Sequence, residues 1–174
     1  MARHIDASTG ECHVFTYKEG LLSAVAHDLK IKVDRWRLEV DDAQAAIVAS
    51  FDATSLRVVC SMRDGHEAPG VISAKDAQKI EASTQSDVLQ ASQHREVRFR
   101  STAVVPDGEG YRVDGELTLV GRTRPVSVGV RRDGDRLVAE VRLHQPDFGI
   151  KPFSAMFGAL KIQPGVLVRL AVPV

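Results

Sequence analysis

Histidine is the residue type in this chain best suited to bind a metal ion, and six are present: His4, His13, His27, His66, His94 and His144. A protein zinc site needs three or four ligands that converge on the ion, and they often lie close together in sequence. No HxH or HxxxH pair occurs, so we expect no metal site and no cofactor. The one alternative is His13 with His27, whose side chains would meet if their strands are neighbours.

Ser23, His27 and Asp28 come closest to a catalytic triad. Adjacent residues of a strand point to opposite faces, so the side chains of His27 and Asp28 would not converge. Cys12 and Cys60 lie far apart without a CxxC motif, and we interpret them as two buried thiols. We therefore expect no catalytic residues and a protein that is not an enzyme. The less favoured alternative is that His27 serves as a general base.

Two groups of arginines could bind an anion. Arg95, Arg98 and Arg100 form a basic strip on the expected solvent face of one predicted strand, and Arg122 and Arg124 form another at a predicted turn. Basic side chains near the mouth of a barrel would hold a phosphate head group or make a transient contact with an anionic membrane surface. Arg122 and Arg124 are the better candidates for such a role.

The elements that position these residues are strands, because apolar and polar residues alternate along most of the chain. Turn residues such as those of 107–110 separate the alternating segments. The rhythm breaks at 73–91, where Ser73-x-x-Asp76 resembles a helix N-cap and a thin apolar stripe follows, which predicts a short helical insertion. The predicted strands, eight or nine in number, are 12–17, 23–33, 35–41, 44–54, 96–104, 111–120, 125–132, 136–144 and 166–172.

So many alternating strands in 174 residues predict one all-β domain, 1–174, either a sandwich or an antiparallel barrel, of which the barrel is favoured. The alternation places Phe15 and Tyr17 on an inner face, and it places His27 inward between Val25 and Leu29. A buried imidazole needs a hydrogen-bond partner. The partner of His27 is either a polar group of a ligand or, in a structural role, a backbone carbonyl or buried carboxylate.

Charge and hydrophobicity exclude several classes of protein. The 23 basic residues balance the 23 acidic residues, so nothing attracts the chain to nucleic acid. No apolar run reaches the eighteen to twenty residues of a membrane-spanning helix. The first fifteen residues carry charges and no apolar run typical of a secretory signal, which predicts a cytoplasmic protein.

Five ordered motifs make the chain resemble the YceI family, the lipocalin-like polyisoprenoid-binding proteins. The motifs are Ser23-x-x-x-His27, Phe51-Asp52-Ala53-x-Ser55-Leu56, Val97-Arg98-Phe99-Arg100-Ser101, Gly115-Glu116-Leu117-Thr118-Leu119-x-Gly121-x-Thr123-Arg124-Pro125-Val126 and Asp147-Phe148-Gly149-Ile150. The resemblance implies an elongated lipocalin-like antiparallel barrel with flanking helices. It also implies an apolar tunnel for an isoprenoid chain, such as that of a polyprenyl phosphate or a quinone. Relatives are often dimeric, which favours a homodimer.

The chain departs from this family pattern in three places. Many relatives carry a signal peptide and are periplasmic, whereas no such peptide is visible here. The segment His144-Gln145-Pro146 replaces the basic residue that usually precedes the Asp-Phe-Gly motif, so a head-group contact from that position does not carry over. The segment 151–158 is rich in aromatic residues and is expected to cap the barrel mouth.

We therefore expect a protein that binds or transports an amphiphilic isoprenoid or similar lipid inside the barrel, without covalent chemistry. The polar end would contact His27, Arg122 or Arg124. The residues expected to contact the ligand are Val25, His27, Leu29, Phe51, Phe99, Leu117, Leu119, Val128, Val141, Phe148, Phe153, Phe157 and Val168. The alternative is a filled barrel that acts as a protein-interaction or stress-related module and has no lipid ligand.

Overall fold

The computed structural model describes residues 1–21, 26–155 and 158–174, and in that part of the chain strands dominate. The alternating pattern explains them, since each strand turns one row of side chains inward and the other outward. The strands are β1 (Ala2–Asp6), β2 (Glu11–Thr16), β3 (Lys18–Glu19), β4 (Asp28–Val33), β5 (Trp36–Asp41), β6 (Ala46–Asp52), β7 (Leu56–Arg63), β8 (His66–Ala68), β9 (Glu96–Asp107), β10 (Gly110–Leu119), β11 (Arg122–Asp133), β12 (Arg136–His144), β13 (Ser154–Ala155), β14 (Leu160–Ile162) and β15 (Gly165–Pro173).

Twelve of these strands form a single curled sheet in the order β1-β5-β6-β9-β10-β11-β12-β15-β2-β4-β7-β8. Every pair of neighbours in it is antiparallel. The short strands β13, β14 and β3 form a second sheet of three strands. The predicted all-β, antiparallel, lipocalin-like class is confirmed.

One long, bent hairpin belongs to both ends of the large sheet and so makes it curl. Its first arm is β4 followed by β5, and its second arm is β6 followed by β7. At the bend, Asp34 N–H donates to the Ser55 carbonyl at 3.0 Å and Asp52 N–H donates to the Arg35 carbonyl at 2.9 Å. The β5–β6 half pairs with β9 and the β4–β7 half pairs with β2.

The strand count differs from the expected eight or nine because several strands are bent or very short. With each arm of the long hairpin counted once, eight strands surround the interior among the described residues: the two arms together with β2, β9, β10, β11, β12 and β15. Eight strands enclose a space just wide enough for side chains or one small ligand.

The helical insertion is confirmed between β8 and β9. Helix α1 (Ala74–Ser83) begins at Ser73, whose hydroxyl accepts a hydrogen bond from Asp76 N–H at 3.1 Å. One π-helical turn (Thr84–Val88) continues it, and 3-10 turns occur at Ala53–Ser55 and Gln145–Phe148. Among the described residues, no helix combines the length and apolarity needed to cross a membrane.

Candidate binding site

The interior of the curled sheet contains a cavity of about 570 Å³. Residues of seven strands and the long hairpin line it, mainly valine, leucine, isoleucine and phenylalanine. Native cores are close-packed and leave few voids larger than a water molecule, so an apolar space of this size is typical of a ligand pocket. The side chains do not fill this space, which favours a hollow barrel over a filled one.

Seven of the residues expected to contact a ligand line the cavity. They come from six different strands, which shows that the period-two pattern identified most inner faces correctly. They are Phe51, Phe99, Leu117, Leu119, Val128, Val141 and Val168. Leu29 and Phe148 are also buried, but they pack in the two hydrophobic clusters of the core rather than on the cavity wall.

His27 does not face inward, although the predicted strand alternation placed it on the inner face. Its side chain is exposed, and β4 begins only at Asp28, so the alternation does not extend to it. Phe153, expected to close the barrel, is 40% exposed. The expected contacts of Val25 and Phe157, like the strand position of Ser23, fall outside the described residues.

Strand β2 turns the opposite face inward from the one predicted. Cys12, Val14 and Thr16 line the cavity, whereas the ring of Phe15 lies near that of His13, with ring centroids 6.4 Å apart. Both faces of this strand carry apolar residues, so its alternation does not decide which face is inner. The prediction that Phe15 and Tyr17 point inward is therefore wrong.

The cavity opens at one end. Among the described residues, the exposed members of its lining all lie where β1, the β5–β6 turn, the start of β10 and the end of β15 meet. We call this end the mouth; its exposed residues are Arg3, Asp42, Ala45, Tyr111 and Pro173. Arg3 Nε lies 3.4 Å from Asp42 Oδ2, so the one cation in the described lining is already paired with a carboxylate.

The opposite end is covered, and we call it the closed end. Thr84, Val88 and Leu89 of the insertion line it from one side. Gln145 and Ile150, which flank the second 3-10 turn, line it from another and are buried. The insertion therefore closes this end of the cavity instead of lying only on the outer surface of the sheet.

The two arginines expected to bind a head group lie at the turn between β10 and β11, on the side of the closed end. Both are exposed and neither belongs to the cavity lining. The guanidinium of Arg122 packs against Gly149, and Arg124 Nη1 donates to the Thr123 carbonyl at 3.0 Å. Neither side chain is aimed at the space that a ligand would occupy.

Two polar residues at the closed end were not expected from the sequence. Thr16 ends β2, and its buried hydroxyl has no hydrogen-bond partner within 1–21, 26–155 and 158–174. Gln145 is only 8% exposed, and its Nε2 donates to the Gln163 carbonyl at 3.1 Å. Thr16 alternates in phase with Cys12 and Val14, so the sequence pattern could have placed it on the inner face of β2. The prediction that Phe15 and Tyr17 point inward assigned Thr16 to the outer face instead.

The sequence profile of the YceI-like domain matches residues 5–174. The chain belongs to the YceI family. This match spans almost the whole chain, and it confirms the resemblance inferred from the five motifs.

Relatives of known sequence and structure agree with this assignment. A UPF0312 protein of Serratia proteamaculans is 39% identical over 49 residues, which are 28% of this chain and 26% of that protein, so the alignment spans about a quarter of the relative. BcnA of Burkholderia cenocepacia shares 15% identity with a TM-score of 0.63, covering 97% of this chain and 98% of the other. A polyisoprenoid binding domain from Saccharophagus degradans shares 11% identity with a TM-score of 0.59, covering 98% and 95%. At such identities the structural matches show the fold.

At two glycines of the YceI motifs, close contacts within this chain leave no room for a side chain. Gly149 has φ of 69°, in the left-handed region that favours glycine, and a Cβ built there would lie 2.7 Å from Cζ of Arg122. Gly115 lies at a β-bulge between β9 and β10, and a Cβ there would lie 2.5 Å from Cζ of Phe99. The Phe99 ring, which lines the cavity, therefore packs on the backbone of Gly115.

The motif carboxylate Asp52 fixes the bend of the long hairpin. Arg35 Nη2 lies 3.0 Å and Arg95 Nη2 3.1 Å from its Oδ2, and Thr54 N–H donates to its Oδ1 at 2.9 Å. Partial burial alone would raise the pKa of this carboxyl, but the hydrogen bonds from Thr54, Arg95 and Arg35 outweigh burial and hold the pKa well below its usual range. Asp52 therefore stays ionised and is structural.

The remaining groups with potential chemistry are dispersed. Burial raises the pKa of the Cys12 thiol to about 12, which makes it a poor nucleophile at neutral pH. Partial burial and the charge of Lys30 lower the pKa of His13. Within the described ranges, no three His, Cys, Asp or Glu side chains are grouped so that they could hold a metal ion.

Proposed function

We propose that this YceI protein binds an amphiphilic isoprenoid, or a similar lipid, in its cavity and carries it without covalent chemistry. The observation that supports the proposal most directly is the apolar cavity itself, which is enclosed by strands and open at one end. The polyisoprenoid binding domain of Saccharophagus degradans, which shares this fold, is described by that ligand class. The proposed reason for binding is the transfer of apolar ligand surface out of water.

The cavity volume sets the length of chain that fits. An engineered protein cavity of about 150 Å³ holds one benzene, which has six carbon atoms. At the same ratio, the cavity of about 570 Å³ holds roughly 23 carbon atoms, or between four and five isoprene units. Burial contributes about 0.8 kcal/mol per methylene, so a chain of this length supplies ample free energy for binding.

The first experiment is organic extraction of the protein purified from its native host, followed by mass spectrometry. A stoichiometric isoprenoid lipid would support the proposal and identify the head group. The delipidated protein should then bind an apolar fluorescent probe, and tetraprenyl lipids should displace it. A protein that yields no lipid and binds neither the probe nor such lipids would contradict the proposal.

A variant that occupies the cavity locates the binding site. Val128 lines the middle of the cavity on β11, and Val128→Phe places a ring in the empty space. We expect the affinity for a tetraprenyl lipid to fall about tenfold or more while the fold is retained, because the added atoms displace the ligand's carbons. The matched control is Val105→Phe on the outer face of β9, where the side chain is exposed and binding should be unchanged.

Two further expectations from the sequence, a cytoplasmic location and a homodimer, stay predictions. Light scattering coupled to size-exclusion chromatography measures the mass of the particle in solution. Fractionation of the native host measures where the protein resides.

A further inference from the structure

A second concave site lies on the outer face of the sheet, at the bend of the long hairpin. It is a groove of about 550 Å³ where β5, β6 and the start of β9 meet. Phe51 lines both this groove and the apolar cavity, so the two spaces share one wall. We call the groove the outer groove; its polar residues are Arg35, Arg37, Ser50, Asp52, Arg95 and Glu96.

Asp52 holds two of the three arginines of the outer groove in place. Arg35 Nε donates to Asp52 Oδ2 at 3.1 Å, and Arg95 Nε donates to the same oxygen at 3.3 Å. The two guanidinium groups are therefore neighbours with a fixed orientation. Within 1–21, 26–155 and 158–174, Nη1 of each has no hydrogen-bond partner. A guanidinium carries more N–H donors than these bonds use, so both groups can donate to a further ligand.

Arg37 is the third arginine, and no carboxylate pairs with it in the described part of the chain. It lies opposite Ser50 in the β5–β6 ladder, and its Nε donates to Ser50 Oγ at 3.1 Å. Both terminal nitrogens of Arg37 lack a partner among the described residues. The Ser50 hydroxyl accepts this one bond and keeps its own proton for another acceptor. The outer groove thus offers N–H and O–H donors from neighbouring strands.

The charges of the outer groove do not balance. Its arginines carry three positive charges, and Asp52 supplies one negative charge. The Glu96 carboxylate pairs with Arg98 at 2.8 Å. Asp6 is the neighbour of Arg37 on β1 but lies outside the lining, and its carboxylate accepts hydrogen bonds from the turn that follows β1. With the Glu96–Arg98 pair neutral, the groove keeps an excess of two positive charges.

We propose that the outer groove binds a phosphate monoester, carried by a soluble molecule or by a lipid head group. Such a group has a charge of about −1.5 to −2 at neutral pH and several acceptor oxygens, which match the excess charge and the free donors. The fork of Arg37 and the Ser50 hydroxyl contact it from one side, and Nη1 of Arg35 and Arg95 from the other. The site is separate from the cavity and does not depend on a lipid bound there.

The test measures binding of the same chemical group in two forms. Calorimetric titration of the full chain with glycerol 3-phosphate measures binding of the soluble form. Co-sedimentation with phosphatidylcholine vesicles, with and without phosphatidic acid, measures binding of the lipid form. We expect the wild type to bind at least one of them. Arg37→Gln should weaken that binding about tenfold or more, because the phosphate loses a charged donor.

Two further variants separate the site from the general effect of charge. Arg142→Gln removes the same charge from an exposed position on β12 and should leave binding unchanged. Arg37→Lys keeps the charge but loses the planar fork, so its binding should lie between those of the wild type and Arg37→Gln.

The form whose binding depends on Arg37 identifies the source of the phosphate. An effect on glycerol 3-phosphate indicates a soluble ligand, whereas an effect confined to vesicles with phosphatidic acid indicates a lipid head group. Equal weakening in Arg37→Gln and Arg142→Gln would overturn the inference, as would a wild type that binds neither form. None of these results bears on the ligand of the cavity.

Discussion

Gly115 connects a single residue of the YceI motif to the shape of the cavity wall. Its absent side chain allows the Phe99 ring and the Arg100 carbonyl to approach; a Cβ would lie 2.5 Å from each. Gly115→Ala should therefore lower the free energy of unfolding by about 1–3 kcal/mol, the usual cost of overpacking. Urea denaturation of the wild type and the variant at the same pH measures the difference.

Gly129 is the matched control, because it also lies in a long strand of the sheet and nothing is within 4 Å of a Cβ built on it. Gly129→Ala should be neutral or stabilising by up to about 1 kcal/mol, since alanine restricts the unfolded chain. Equal losses of stability in both variants would show that strand glycines in general, and not the Phe99 contact, account for the effect.

Asp52 predicts how stability depends on pH. Its pKa is lower in the folded protein than the unfolded value of about 3.9, so its ion pairs stabilise the fold above that value and the contribution is lost as pH falls below it. Asp52→Asn should cost about 1–3 kcal/mol at pH 7, because Arg35 and Arg95 lose a charged acceptor. Urea denaturation at pH 7 and pH 3 should show a difference between the proteins that shrinks at the lower pH.

Asp147 is an exposed carboxylate, and its partner His144 is also exposed. Asp147→Asn therefore serves as the control and should change the free energy of unfolding by less than about 0.5 kcal/mol at pH 7 and at pH 3. A loss in Asp52→Asn that is the same at pH 7 and pH 3 would mean that the packing of this side chain, rather than its charge, fixes the bend.

The sequence predicted residues of the cavity wall better than residues that contact a head group. Phe51, Phe99 and Leu117 line the cavity as expected because alternation along a strand reports its faces. His27 was misplaced because the pattern was followed beyond the first residue of β4. Arg122 was misplaced because a sequence contains no information on which end of a barrel is open.

At the scale of the element, the insertion is attached to the sheet through a bulge. Lys30 pairs with Cys60 and Ile31 with Val58, so Val59 is an extra residue in β7 and the ladder is interrupted. The Glu81 carboxylate of α1 accepts a hydrogen bond from Val58 N–H at 2.9 Å. A helix side chain thus satisfies a backbone group that the strand leaves free.

Glu81→Ala should therefore loosen the insertion. The expected loss is about 1–2 kcal/mol, because Val58 N–H loses its acceptor. Hydrogen exchange measured by mass spectrometry should show faster exchange in peptides that cover α1 and the middle of β7. Lys79→Ala, on an exposed position of the same helix, should leave both exchange rates unchanged; a similar acceleration in that variant would contradict the role of Glu81.

Elements were predictable to the extent that turn residues and capping residues mark their ends. The turn after Asp107 and the cap at Ser73 are where the sequence placed them. The inward face of β2 was not predictable, because Phe15 and Val14 are both apolar and only the packed sheet distinguishes their sides. The bent hairpin was not predictable either, since the exchange of strand partners at Asp34 depends on contacts between distant segments.

At the scale of the molecule, the cavity follows from closure of the sheet rather than from any one segment. Alternation predicts an apolar inner face, but the same pattern suits a filled core and a hollow one. The difference lies in the sizes of the residues that line the interior, such as Ala49, Ala139 and Val128. Small side chains from several strands meet there and leave the space of about 570 Å³.

The cavity volume therefore predicts how the affinity for a prenol depends on its number of isoprene units. Each unit that enters the cavity leaves water and adds binding free energy, so affinity should rise steeply through the short prenols. The cavity volume holds about five units. Any further unit remains in solvent past Tyr111 at the mouth and adds little binding free energy. Displacement titrations with prenols of two to eight units should show a rise followed by a plateau at four to five. Affinity that keeps rising to eight units would instead require the cavity to lengthen at the closed end, where Val88 and Leu89 of the insertion would have to move away from the sheet.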